Sequence, residues 1–387
     1  MPTAITPAEF PWFDYSGFSF SLGLDLDGQI AQLSGHSASE YDPKSGKIVI
    51  NGGMTDQTHT AYAKAEAILG AAGYEMDDIV HVVENVTVSG IEHYSEAAAV
   101  REEIFGSDQP AVNTVVVQGL LRPAAWIELE ITASKDTRKS WPGARETDGL
   151  VYLNTIQPFD DDGELVGEGD VEAQTAQIFA NAAKVLDGAG LTMSDVVKTL
   201  DMVAPEALAD YKYTGRVRKQ HLGPIFPASA GILQERVSTD PRVLISYDFI
   251  ASRHETEAIN PGLSRYEKLT YSPAVKAGNL LFMSGQAALD PETETALYVG
   301  DVVAQSRYTY GNIAAVLEEA GLGLEHLIKT IEYVTPEGLK NYRAVGALRK
   351  EIFAAPFPAS TGAICHSLLR PEFMIEIDPL AMYPSES

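Results

Sequence analysis

QSRYTYGNIAAVLEEAG, residues 305–321, decides the fold, because its two ends are rungs of a ladder that occurs three times along the chain. Gln305 and Gly321 are followed by Tyr342, Arg349 and Pro358. The same order appears as Gln57, Gly73, Tyr94, Arg101 and Pro110, and again as Gln174, Gly190, Tyr211, Arg218 and Pro227. The intervals are 16, 21, 7 and 9 residues in every copy, with no insertion across 53 residues (110−57, 227−174, 358−305). Such self-similarity takes precedence over any local reading. The copies are offset by 117 and 131 residues (174−57, 305−174), too long for a solenoid unit and suited to a small domain with its own core. The expectation is three equivalent domains closed into a single-chain pseudo-trimer, since closure hides one apolar face of each.

Outward from that stretch, periodicity orders the elements. In the third copy LLFMSGQAAL (280–289) reads as an apolar strand entering a polar turn. A helix from Val302 to Ala320 carries Tyr310, Ile313, Ala314, Val316 and Leu317 at three-to-four spacing and stops at Gly321. Its counterparts are 57–72 and 174–189. Alternating runs at 326–335, 195–204 and 78–87 read as strands with one covered face. A second helix over 338–353 and two closing strands, PASTGAICHSLL and FMIEIDPLAM, complete the unit. The predicted class is α/β (α+β): three repeats, each a mixed sheet with two helices on one face, at 16–133, 147–252 and 265–383. The intervening 134–146 and 252–264, rich in Pro, Gly and charge, read as linkers, and the second copy lacks the phrase that marks the first strand.

Composition bounds the function. No run approaches the roughly 20 apolar residues of a membrane helix, and the first residues have no basic-then-apolar signal pattern. A single cysteine, Cys365, excludes an intrachain disulfide and fits a reducing, cytoplasmic setting. The net charge of −26 repels phosphate backbones and anionic membranes, so neither nucleic acid nor membrane is an expected partner. Dinucleotide, phosphate-loop, nucleophile-elbow and zinc-helix motifs are absent, and His36, His59 and His93 have no metal-ligand spacing. No cofactor and no metal are implied. A small-molecule substrate, with self-association of the pseudo-trimer as a further partner, is the remaining expectation.

The phrases YSPAVKAGNLLFMSGQ, NIAAVLEEAGLGLEHLIKT, FPAST and MIEIDPLA resemble the Rid superfamily, the YjgF-like reactive intermediate deaminases, over most of the chain three times. The resemblance implies a chorismate-mutase-like fold, a threefold ring with helices outside, and ligand clefts between neighbouring domains. Its best known members hydrolyse enamines or imines to ketones and ammonia. It also implies an Arg after Pro-Ala that grips the substrate carboxylate through two parallel hydrogen bonds. That slot holds Val112, Ser229 and Ser360 here. The pocket Glu of the family falls on Glu128 and Glu376 as catalytic candidates, while the second copy has Ser246; the bland alternative is a strand Glu that is surface-facing or paired. The family aromatic falls on Tyr271, and on Phe20 in the first copy.

Further substrate-binding candidates follow from position. Arg101, Arg218 and Arg349 recur seven residues after a Tyr and are either replacements for the missing anion grip or surface arginines paired with acids such as Glu102 or Glu351. Arg122 and Arg370 lie in turns just before the Glu strands. Strand parity places Ser360, Gly362, Ile364 and His366 on one face and Cys365 on the other. Cys365 reads as a buried thiol. The function expected is a deaminase-like hydrolase acting on a small enamine, imine or related metabolite. A non-catalytic binding protein and a chorismatase-like or ring-opening hydrolase are the alternatives.

Overall fold

In a computed structural model, residues 2–384 are described. Each copy centres on a seven-stranded mixed sheet, the second and third completed by one strand of another copy, and the ladder residues explain why. Gln57, Gln174 and Gln305 open the long helices Met54–Ala71, Val171–Gly188 and Val302–Glu319. Their side-chain oxygens accept the backbone N–H of Trp126 (2.8 Å), Leu244 (2.7 Å) and Met374 (2.8 Å), tying each helix to the start of its final strand. Gly73, Gly190 and Gly321 end the helices at φ +73°, +70° and +72°, a conformation that favours glycine. Pro227 and Pro358 offer carbonyls to Ser272 and Ser21 of the next copy.

In the third sheet the order is Thr256–Ile259, Ala274–Ala277, Leu280–Met283, Ile375–Met382, Leu327–Val334, Ala359–Ile364, and then Gly119–Leu120 contributed by the first copy. Leu327–Val334 and Ala359–Ile364 are parallel and the other pairs antiparallel. The second sheet likewise ends on Ser367–Leu368 of the third copy. One edge of the second sheet and one edge of the third are therefore covered by a neighbouring copy.

The copies meet through one repeated contact. The backbone N–H of Thr155 donates to Val112 O (3.1 Å), that of Gly285 to Ser229 O (3.0 Å) and that of Gly35 to Ser360 O (3.3 Å). These bonds run from first to second, second to third and third to first copy, so the contacts form a cycle. Two hydrophobic clusters draw on all three copies: one around Val115, Ile232 and Cys365, the other around Leu24, Tyr152 and Phe282. Apolar burial at about 25 cal/mol per Å² holds such a centre together. Between the sheets lies a cavity of about 120 Å³ lined by His81, Lys198, Lys329, Asp248 and Asp378 among others.

Three readings need correction. The segments read as linkers contain strands: Lys139–Trp141 and Ala144–Thr147 join the second sheet, and Thr256–Ile259 the third. Ala144–Thr147 pairs with Leu150–Leu153, so the second copy has its first strand without that phrase; charge there marks edge strands, not a break. The second helix of the third copy is interrupted, running Pro336–Leu339 and then Arg343–Ile352, with Thr335 capping an extra N-terminal turn opened by Pro336.

Candidate functional site

Two of the three junctions bring a carboxyl against a glycine backbone, Glu128 buried and Glu376 half-buried. Glu376 lies so close to Gly285 that a Cβ there would fall 2.2 Å from its Oε1; the equivalent distance from Gly35 to Glu128 Oε1 is 2.5 Å. Both glycines make the inter-copy bonds described above, so both carboxyls stand where two copies touch. The second copy swaps both partners: Ser246 replaces Glu, Thr155 replaces Gly, and Ser246 Oγ donates to Val237 O (3.1 Å). Thr155 fills its own junction and donates through Oγ1 to Asp248.

Burial, aided by the Asp378 carboxylate, pushes the Glu376 carboxyl up to about 8, against the Gly231 N–H and Lys198. Burial, with Glu130 beside it, likewise pushes Glu128 up to about 8, against Lys64 and Arg122. Both carboxyls thus hold their proton at neutral pH, which suits a general acid. Tyr271 stands at the Glu376 junction: the adjacent Ser272 donates through Oγ to Phe226 O (2.7 Å) and through N–H to Pro227 O (3.0 Å) of the second copy. In the first copy Phe20 stacks on Phe18, with centroids 4.9 Å apart.

The other sequence candidates have different surroundings. Arg101, Arg218 and Arg349 are not surface arginines paired with Glu102 or Glu351. They reach inward to the strand acids Glu84, Asp201 and Glu332, and the recurring Tyr94, Tyr211 and Tyr342 hydroxyls donate to the same carboxylates. The charge of Arg349 and of Arg101 is therefore compensated within the fold. Arg370 Nη1 donates to Glu294 O (2.6 Å), whereas Arg122 is exposed and lies near Glu128. Ser360 has its backbone bound to Ser34 and Gly35 across the junction. His366 lies beyond the strand end at Ile364 and is exposed, its backbone N–H donating to Leu233 O (3.0 Å) of the second copy. Cys365 is fully buried and its thiol is pushed up by burial. Among the described residues no cluster of His, Cys, Asp and Glu can hold a metal, and no helix is long and apolar enough to cross a membrane.

Lys64 was not singled out by sequence reasoning. Its side chain is 0% exposed, and its ammonium donates to Ser37 O (2.6 Å), Ser39 O and Ser39 Oγ (3.2 Å) beneath the rings of Phe13 and Trp12. Asn181 and Asn312 hold the equivalent carbonyls, Gln157 O and Phe159 O, and Ala287 O and Leu289 O. Lys64 is thus a structural clamp that has acquired a charge, and that charge faces Glu128. Burial lowers its own titration to about 7. Lys64→Met, which strands two buried carbonyls, is expected to cost about 2–4 kcal/mol in urea unfolding, and Lys64→Asn distinctly less.

Comparison with known proteins agrees with this architecture. The family described as Endoribonuclease L-PSP matches residues 18–135, 136–251 and 265–383. A RutC family protein of Synechocystis sp. is 32% identical over 115 residues, 30% of this chain and 87% of that protein. The 2-iminobutanoate/2-iminopropanoate deaminase of Escherichia coli is 30% identical over 136 residues, 34% of this chain and 95% of the enzyme. A crystal structure of chorismatase, 15% identical, superposes with a TM-score of 0.55 over 79% of this chain and 93% of that one, a likeness of fold.

Proposed function

The chain belongs to the Endoribonuclease L-PSP family three times over, and on that premise we propose that it is a single-chain pseudo-trimer hydrolysing a small enamine or imine to a ketone and ammonia in two of its three clefts. The observation that carries this reading is the pair of carboxyls, Glu128 and Glu376, each held against a glycine at a junction and each pushed up to about 8. The cycle of inter-copy bonds supports the pseudo-trimer.

In the proposed reaction the neutral carboxyl donates its proton to the enamine carbon, giving an iminium ion. The carboxylate left behind takes a proton from water as the oxygen adds to the C=N carbon. Collapse of that adduct expels ammonia and leaves the carbonyl, and the carboxyl is again protonated. The third junction has Ser246 at the Glu position and completes the ring; its buried Asp248 carboxyl is engaged by Thr155 and Asn113. The net charge of −26 counts against an RNA substrate. Ligand binding without turnover is the second reading, favoured by Val112, Ser229 and Ser360 standing where the resemblance implies an Arg.

The test supplies 2-aminoacrylate in situ from a dehydratase and follows enamine loss and ammonia release. Release faster than the enzyme-free background is expected; a rate equal to background sinks the catalytic reading for this substrate.

A further inference from the structure

Arg265 is a partly buried guanidinium without a counter-ion. It stands in the short helix Ser264–Lys268, ahead of the first core strand of the third copy. Its Nη2 is 3.5 Å from Tyr271 Oη and its Cζ lies 5.1 Å from the Tyr266 ring centroid. The Nε is buried with no hydrogen-bond partner, and among the described residues no carboxylate pairs with Arg265. A donor withdrawn from water and left unmatched is costly, so such a group marks a place where an anion belongs. The contrast with Arg101, Arg218 and Arg349, each on a strand carboxylate, is direct.

Its neighbourhood is the Glu376 cleft. The Gln286 side chain stands beside the Tyr266 hydroxyl and opposes the upward push of burial on it, and Gln286 exchanges two backbone bonds of 2.8 Å with Ile377, the residue after Glu376. Gly285, just before Gln286, lies against the Glu376 carboxyl. Tyr271 is itself anchored at that junction through Ser272. Arg265, Tyr271 and Glu376 therefore belong to one site.

We propose that Arg265 is the anion-binding residue of this cleft and receives the carboxylate of a small 2-oxo, 2-imino or 2-enamine acid, with the Tyr271 hydroxyl as a second donor. The grip comes from the segment leading into the third copy, not from the strand position held by Ser229. This inference rests on the reading of the Glu376 cleft as the reaction site and names the substrate class for it. The first copy has Asp14 at the matching position (265−251, the offset that sets Tyr271 on Phe20), so its Glu128 cleft has no equivalent cation from the leading segment. The leading segment therefore offers a cation to the Glu376 cleft alone, while the cations beside Glu128 are Lys64 and the exposed Arg122.

Calorimetric titration with pyruvate and with its uncharged methyl ester tests the assignment on wild type, Arg265→Gln and Arg265→Lys. Loss of a charge-assisted, two-pronged contact weakens pyruvate about 10–100-fold in Arg265→Gln, with Arg265→Lys intermediate and methyl pyruvate unchanged. Unchanged pyruvate affinity in Arg265→Gln, an equal loss for the ester, or no pyruvate binding by wild type at tens of millimolar overturns it. Failure of the catalytic reading looks different: Arg265-dependent pyruvate binding would persist while wild type released no ammonia from 2-aminoacrylate.

Discussion

Glu376→Gln lowers ammonia release by about 10²–10⁴-fold at the Glu376 cleft while leaving ligand affinity nearly intact, because the amide keeps the shape and loses only the transferable proton. Glu128→Gln does the same at the other cleft, so either single variant retains the turnover of the untouched cleft and the double variant loses both. The pH profile carries the mechanism. A carboxyl that acts as an acid and titrates at about 8 holds its rate through neutrality and loses it as pH rises through that value. Both glutamines remove that limb.

The same substitution has an opposite effect on stability. A carboxyl raised from its ordinary value near 4.5 to about 8 binds its proton more tightly in the folded state than in the unfolded one. Stability therefore declines as pH climbs from about 4.5 to about 8, where the folded protein must keep the proton or bury a charge. Glu376→Gln is expected to melt a few degrees above wild type at pH 9 and level with it near pH 4.5, measured by scanning calorimetry at both values. A melting temperature that falls at pH 9 would mean that the carboxyl is ionised and paired in the fold, and that it cannot serve as the acid.

Most of the architecture was legible because repetition supplied three independent readings of one unit. Gln57, Gln174 and Gln305 recur because each closes the same helix-to-strand bond, and Gly73, Gly190 and Gly321 because each takes the same left-handed turn. What escaped notice is what differs among copies. Lys64 is visible only as a break in an otherwise Asn-Asn match, and Arg265 lies in a segment whose Pro, Gly and charge resemble a linker. The Glu-with-Gly and Ser-with-Thr exchange needs two strands about a hundred residues apart to be brought together before its complementarity appears. The arginine recurrence was seen and misassigned, because the strand acids that neutralise it, Glu84, Asp201 and Glu332, share no helix face with it in sequence.

Those arginines give the second large effect. Glu332 is 0% exposed, shares its charge with Arg349, and accepts from the Tyr310 and Tyr342 hydroxyls. Gly362 lies opposite it in the parallel register, and a Cβ there would fall 3.1 Å from Tyr342 Oη, so the hydroxyl occupies the space a side chain would take. Arg349 also donates through Nε to Ser19 O (3.3 Å) of the first copy, which couples the buried pair to the junction. Glu332→Gln leaves that guanidinium uncompensated in a dry environment and is expected to cost about 3–5 kcal/mol in denaturant unfolding. Removing both charges with Glu332→Leu and Arg349→Met recovers part of the loss, since no lone ion remains. The exposed pair Arg307 and Glu351, at 2.6 Å on neighbouring helices, serves as the control, and its removal should change stability by less than about 1 kcal/mol. A Glu332→Gln cost as small as the control would place water beside Arg349, and the ladder Arg would then be free to serve the Glu128 cleft after all.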